Sequence, residues 1–257
     1  MRNIRLQIEY DGSRYLGWQK QARRPTIQEV IEKALGKILQ EKVFLIGSGR
    51  TDSGVHALAQ TANFKTNSNI STNKLLRALN GVLPDDIVIT GAKEVSSDFH
   101  SRYSAKSKTY RYSILNRQYP SALLRGKVYF CSYRLDFKLM QKEAKVLLGK
   151  HDFSSFCASA SNAKDAIRVI KRISVKKLPL HLAPYTFDLN RFFLIVINIE
   201  ADGFLYNMVR NIAGTLIDIG RGRLPAGSMK KILSSRNRKL AGPTAPACGL
   251  CLVKVKY

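Results

Sequence analysis

Eleven residues, Gly47-Ser48-Gly49-Arg50-Thr51-Asp52-Ser53-Gly54-Val55-His56-Ala57, place one cation and one anion two positions apart in a glycine-rich stretch. A carboxylate such as Asp52 can attack carbon as a nucleophile or remove a proton as a general base. Arg50, so close by, can pair with it locally, since residues two apart in extended chain share a face, or it can hold a phosphate. The plainer alternative is a turn: Asp52-Ser53-Gly54 is common loop punctuation, with glycine at a positive φ. Loops on rigid scaffolds are where functional side chains are usually presented.

The apolar run Val43-Phe44-Leu45-Ile46 predicts a strand before this loop, and a second strand follows at about 56–65. Before them, Ile4, Leu6, Ile8 and Tyr10 alternate with polar residues, as a half-buried strand requires. Thr26-Ile27-Gln28-Glu29 reads as a capping box, and Ile27, Val30, Ile31, Ala34, Leu35 and Ile38 form one helical stripe. Leu75, Leu76 and Leu79 mark a short helix stopped by Gly81 and Pro84, and Ile87 to Val95 a strand. Strand, helix, strand, strand, helix, strand is the split βαβ order of ferredoxin-like and RNA-recognition-type domains.

The pattern then starts again. Tyr110, Tyr112 and Ile114 alternate, and Val128 to Cys131 reads as a further strand. A helix follows through Phe137, Met140, Ala144, Leu147 and Leu148, then strands around 167–177 and 192–200. Helices at about 204–219 and 227–234 precede a closing strand, Gly249 to Lys256, and Leu178 to Asn190 reads as an extra loop. The expected fold is α+β: two ferredoxin-like or RNA-recognition-type halves, 1–104 and 105–257, whose antiparallel sheets form a central cleft.

Lys and Arg number 43 against 18 Asp and Glu, a formal net charge of +25, in a chain that is 45% hydrophobic. A folded protein with that excess favours a polyanion, nucleic acid or an anionic membrane surface. The cations fall in Lys20/Arg23/Arg24, Arg102/Lys106/Lys108/Arg111, Lys171/Arg172/Lys176/Lys177, Arg221/Arg223 and Arg236/Arg238/Lys239, which suits a wide phosphate-tracking surface. The lone tryptophan, Trp18, reads either as a core residue or as a base-stacking platform. No run reaches membrane-spanning length, and no basic amphipathic helix with a large apolar face stands out. There is no signal-peptide pattern. Cys131, Cys157, Cys248 and Cys251 are too scattered for a disulfide framework, and no second pair completes a zinc site around Cys248-x-x-Cys251. The expectation is a cytoplasmic protein without metal or cofactor.

Gly49 to Ala57 resembles the signature loop of the A-type family of tRNA pseudouridine synthases. Other stretches resemble that family in the same order: Tyr10-Asp11-Gly12 with Tyr15-x-Gly17-Trp18-Gln19, Thr26-Ile27-Gln28, Phe99 to Ala105 followed by Tyr110-Arg111-Tyr112, Phe204 to Asn211, and Thr244 to Leu250. The resemblance covers nearly the whole chain, with one departure at Asn207, where many relatives carry His. It implies conversion of uridine to pseudouridine at positions 38, 39 and 40 of the tRNA anticodon stem-loop. It further implies Asp52 as catalytic carboxylate, Arg210 as the cation that keeps it ionised, Tyr110 stacked on the uracil and Leu250 as an apolar wall. Arg50 would hold RNA phosphate or the displaced helix. On pattern alone Tyr110 reads as a core tyrosine and Arg210 as a surface charge. The resemblance also implies a homodimer with tRNA lying across both subunits. Two other readings stand beside it, a relative with different target uridines and a non-catalytic RNA binder.

Overall fold

The computed structural model describes residues 1–22, 24–158, 165–179 and 193–257. In chain order its elements are β1 (Arg2–Tyr10), α1 (Ile27–Leu39), β2 (Ile46–Gly47), β3 (His56–Thr66), α2 (Thr72–Val82) and β4 (Ile87–Val95). They continue with β5 (Ser107–Asn116), β6 (Tyr129–Cys131), α3 (Phe137–Ala144), β7 (Gly149–Asp152), β8 (Ile167–Pro179) and β9 (Phe193–Ala201). The last are α4 (Met208–Gly220), α5 (Ser228–Ser235) and β10 (Leu250–Lys256). The described residues form two compact units, Met1–Lys108 with Cys251–Tyr257, and Thr109–Leu250.

In the first unit β1 pairs antiparallel with β3 on one side and β4 on the other. On the far side of β3 lie the short antiparallel β2 and the parallel β10, the latter through Cys251–His56 and Leu252–Ala57. This is the predicted split βαβ arrangement. Ile4, Leu6, Ile8 and Tyr10 are buried, while Gln7 and Glu9 of the opposite face are exposed. Thr26 caps α1 as predicted, its hydroxyl accepting from Glu29 N at 3.4 Å. The buried stripe is Ile27, Ile31, Ala34, Leu35 and Leu39; Val30 and Ile38 are only half-buried. Helix α2 runs through Gly81 to Val82 and ends where Leu83 turns extended (φ −74°, ψ 149°), the conformation that the following Pro84 enforces.

The strand predicted over 43–46 shrinks to Ile46–Gly47, for a visible reason. Helix α1 takes the backbone bonds of the preceding residue: Leu45 N donates to Glu32 Oε1 at 3.0 Å, and Gln28 Nε2 donates to Leu45 O at 3.0 Å. A polar pair on the helix therefore anchors the chain just before the glycine-rich loop.

In the second unit the strand neighbours run β5-β9-β8-β7, with β6 parallel beside β5. The order β5-α3-β8-β9-α4 repeats β1-α1-β2-β3-α2, with β6, β7 and α5 added. The predicted helix through Leu148 is α-helical only to Ala144, followed by a 3₁₀ turn at Lys145–Leu147. Strand β7, Gly-Lys-His-Asp, has no apolar alternation and was not predicted; it exists by backbone pairing with β8, Gly149 opposite Ile170 to Asp152 opposite Ile167. Helix α4 starts at Met208 rather than 204 because Asn207 adopts a left-handed conformation (φ 60°), which asparagine tolerates better than most residues. From 180 to 190 the predicted extra loop lies outside the described residues, as does Arg23; Leu178 and Pro179 belong to β8.

Candidate active site

The turn predicted at Asp52 is present, and it is built into a packed base. Val55 N donates to the Asp52 carbonyl at 3.1 Å, and Gly54 takes the required positive φ of 78°. On one side of Asp52, the Thr51 carbonyl accepts from Trp18 N at 3.0 Å, and the buried Thr51 hydroxyl bonds to the Tyr10 hydroxyl at 2.7 Å. On the other, Ser53 Oγ donates to the Tyr15 carbonyl at 3.1 Å. Gly17 (φ 82°) lies so close that a Cβ there would overlap the Thr51 carbonyl oxygen. Asp52 is half-buried between these fixed points.

Trp18 is 2% exposed and lines this base, so the core reading holds and the base-stacking one does not. Burial also pushes the Tyr10 hydroxyl well above the ordinary tyrosine range, keeping it neutral as a partner for Thr51. His56 Nδ1 stands 3.0 Å from Asp11 Oδ1 and 3.2 Å from Gly12 N, joining the start of β3 to the first loop. Arg50 is exposed; its Nε donates to Gln19 Oε1 at 3.2 Å, and Gln19 in turn donates to Gln28 of α1 at 2.9 Å. A cation so placed, tethered but open to solvent, suits a phosphate contact.

The remaining predicted residues belong to the second unit. Tyr110, on β5, is buried to 8% exposure, with the Phe204 ring edge-on at 5.0 Å and 87°. Arg210 is not the plain surface charge that pattern alone suggested. From α4 its Nε donates to the Ala245 carbonyl at 2.8 Å and another guanidinium nitrogen to Asn207 Oδ1 at 2.9 Å. Asn207, the departure from the family pattern, thus braces Arg210.

Ala245 belongs to the segment that leads into Leu250, itself buried at 5%. Arg238 clamps this segment: its guanidinium donates to the carbonyls of Ala241 (3.3 Å) and Gly242 (2.9 Å), to Thr244 Oγ1 (3.2 Å) and to Asn211 Oδ1 (3.0 Å). Thr244 Oγ1 also donates to Asn211 Oδ1 at 2.7 Å, and the Tyr112 hydroxyl donates to the Pro246 carbonyl at 2.9 Å.

Arg238 was counted among the phosphate-tracking cations. It turns inward instead, as do Lys108 and, through a 3.0 Å pair with Asp218, Arg221. A count of charges cannot see this, because the acceptors that capture each cation come from distant segments. Among the described residues no cluster of three or more His, Cys, Asp or Glu could hold a metal ion, and no helix is long and apolar enough to cross a membrane.

A carboxylate on a hydrogen-bonded turn, carried by a split βαβ unit in a strongly basic chain, is an arrangement that suits an enzyme of the class that acts on nucleic acid. Comparison with known proteins narrows this. The family described as tRNA pseudouridine synthase matches residues 7–104 and 144–257. Proteins named tRNA pseudouridine synthase A from Acetivibrio thermocellus and Caldicellulosiruptor saccharolyticus are each 51% identical to this chain over the full length of both. One from Thermoanaerobacter sp. (strain X514) is 48% identical, again over the full length of both. The chain belongs to the tRNA pseudouridine synthase family. It is an isomerase that converts uridine in tRNA to pseudouridine.

Proposed function

We propose that this enzyme acts on the anticodon stem-loop, at positions 38, 39 and 40, with Asp52 as the reacting carboxylate. The reaction breaks the N1–C1′ bond, turns the uracil and joins C5 to C1′; N1 gains a proton and C5 loses one, so no oxidant or reductant is consumed. The observation that carries the reading is the placement of Asp52. An anion on an RNA-facing surface repels phosphate, so a binder gains nothing from a carboxylate on a turn whose neighbours, Thr51 and Ser53, are both held by hydrogen bonds.

Two routes use that carboxylate: attack on C1′ to give a covalent adduct, or removal of a sugar proton as general base. Both need it ionised and aimed. Arg210 is the cation assigned to hold it so, Tyr110 stacks on the target uracil, and Leu250 closes the opposite side as an apolar wall. Base–aromatic stacking contributes roughly 1–3 kcal/mol. Arg50 takes a phosphate or the displaced helix. In this reading the N-terminal half, 1–104, carries the carboxylate, and the C-terminal half, 105–257, supplies the groups that receive the base. A stem nucleotide must leave its helix first, at a cost of about a few kcal/mol, which phosphate contacts by the basic surface offset. The enzyme works in the cytoplasm as a homodimer, with one tRNA lying across both subunits.

The test is to treat an unmodified tRNA transcript with the enzyme and map pseudouridine by carbodiimide labelling and reverse transcription. Stops tied to positions 38–40 are expected. Stops elsewhere would assign other target uridines, and binding without any stop would leave an RNA binder. Light scattering should give the mass of two chains.

A further inference from the structure

A second cation lies beneath the start of the loop that carries Asp52. Lys108 Nζ donates to the Ser48 carbonyl at 2.5 Å and rests against Gly49. The next carbonyl along, Gly49 O, accepts from Gln60 Nε2 at 3.0 Å, while Gln60 Oε1 accepts from Ser48 Oγ at 2.6 Å. Ser48 and Gln60 are fully buried. Two successive carbonyls leading into Arg50-Thr51-Asp52 are therefore each gripped by a side chain, one from β5 and one from β3.

We propose that Lys108 is a positioning residue: with Gln60 it fixes the 48–49 main chain so that Asp52 meets the sugar, and it does so as a charged ammonium. The inference rests on the reading of Asp52 as the reacting carboxylate. Burial, with a smaller push from Arg102, lowers the Lys108 ammonium from 10.5 to about 8. Arg102 comes from the turn before β5, and Tyr257, beyond β10, presents a hydroxyl that burial raises above its ordinary range. From β3 come Gln60 and Thr61, which do not titrate, and the loop itself carries Arg50 and Asp52.

The sign of the pH effect separates this role from a structural one. Between pH 8 and 10.5 the folded protein has lost the Lys108 proton while an unfolded chain keeps it. The unfolded state then binds more protons, so this group's contribution to stability rises with pH across that window. Turnover should fall in the same window, because a charge-assisted bond to Ser48 becomes a weaker neutral one. Alkaline unfolding would move both in one direction.

The experiment uses the full-length enzyme and a tRNA transcript, with turnover, KM and melting followed from pH 6.5 to 9.5 for wild type, Lys108→Arg, Lys108→Gln, Gln60→Ala and Asp52→Asn. Wild type should show kcat/KM falling with a midpoint near 8 and no matching loss of stability. Lys108→Arg, charged throughout, should keep turnover within a few-fold and lose the alkaline limb. Lys108→Gln should cut kcat about ten- to a hundred-fold with KM unchanged, the scale of a misplaced reacting group. Gln60→Ala should lower kcat yet keep the limb, and it serves if the arginine variant does not fold. An alkaline limb that survives in Lys108→Arg, or wild-type kcat in Lys108→Gln, would overturn the proposal. Asp52→Asn keeps the two readings apart: activity there ends the role of Asp52, whereas an inactive Asp52→Asn beside an unchanged Lys108→Gln removes only Lys108.

Discussion

Two loops that bear predicted site residues are held in opposite ways. Around Asp52 itself the loop rests largely on main chain: Trp18 N, Val55 N and the Tyr15 carbonyl fix it, Gly17 leaves no room for one more carbon, and the Lys108 and Gln60 side chains grip only the two carbonyls that lead into it. The 241–250 segment, which braces Arg210 and leads to Leu250, rests on side chains instead, chiefly the guanidinium of Arg238. Backbone support positions a group tightly but tolerates no added volume. A five-donor fork can tie four acceptors together, yet everything then depends on one residue. The first loop should therefore be the more sensitive to an added atom, and the second to loss of its one clamp.

Among substitutions that leave Asp52 itself in place, the largest effect expected is from Gly17→Ala. Its Cβ would collide with the Thr51 carbonyl at a φ of 82° that alanine disfavours, so the peptide before Asp52 must shift. Turnover should fall by about a hundred-fold or more in single-turnover assays, the scale of an approximately 1 Å misplacement. Near-wild-type turnover would mean that the loop is not held by its backbone. Next comes Arg238→Ala, which removes the donor to two carbonyls and one of the two donors to Asn211 Oδ1. A loss of about 2–3 kcal/mol is expected, or roughly 5–10 °C in melting temperature. Lys at 238 should recover little, because a point charge cannot span the same acceptors; full recovery would show that charge, not the fork, does the holding. The smallest effect is from Tyr10→Phe, which removes the bond to Thr51 Oγ1 while keeping the ring. About 1 kcal/mol of stability and a few-fold of kcat should be lost.

Much of this was legible where the cause is local. Alternation in Ile4 to Tyr10, the cap at Thr26 and the bounds of β4 follow from neighbours in sequence, and the turn at Gly54 follows from its own tripeptide. The Asp52 loop could be singled out as a candidate site because its residue types recur in a family pattern. What failed to show depended on distant partners. Leu45 left the strand because Gln28 and Glu32 of α1 took its backbone bonds. Trp18 could be read as platform or core until its burial beside Gly47 settled it. Lys108 and Arg238 looked like two more surface cations, since nothing beside them in sequence announces the carbonyls they grip. The missed β7 carries only Gly-Lys-His-Asp and owes its existence to β8.

The most direct test of the account is tritium release from tRNA containing 5-³H-uridine, for wild type and Asp52→Asn, with filter binding of the same tRNA alongside. Loss of the C5 hydrogen reports the isomerisation itself. The account predicts release by wild type, none by Asp52→Asn, and comparable tRNA binding by both. Release by Asp52→Asn at anything near the wild-type rate would contradict it, and the reacting group would then have to be sought elsewhere in the enzyme.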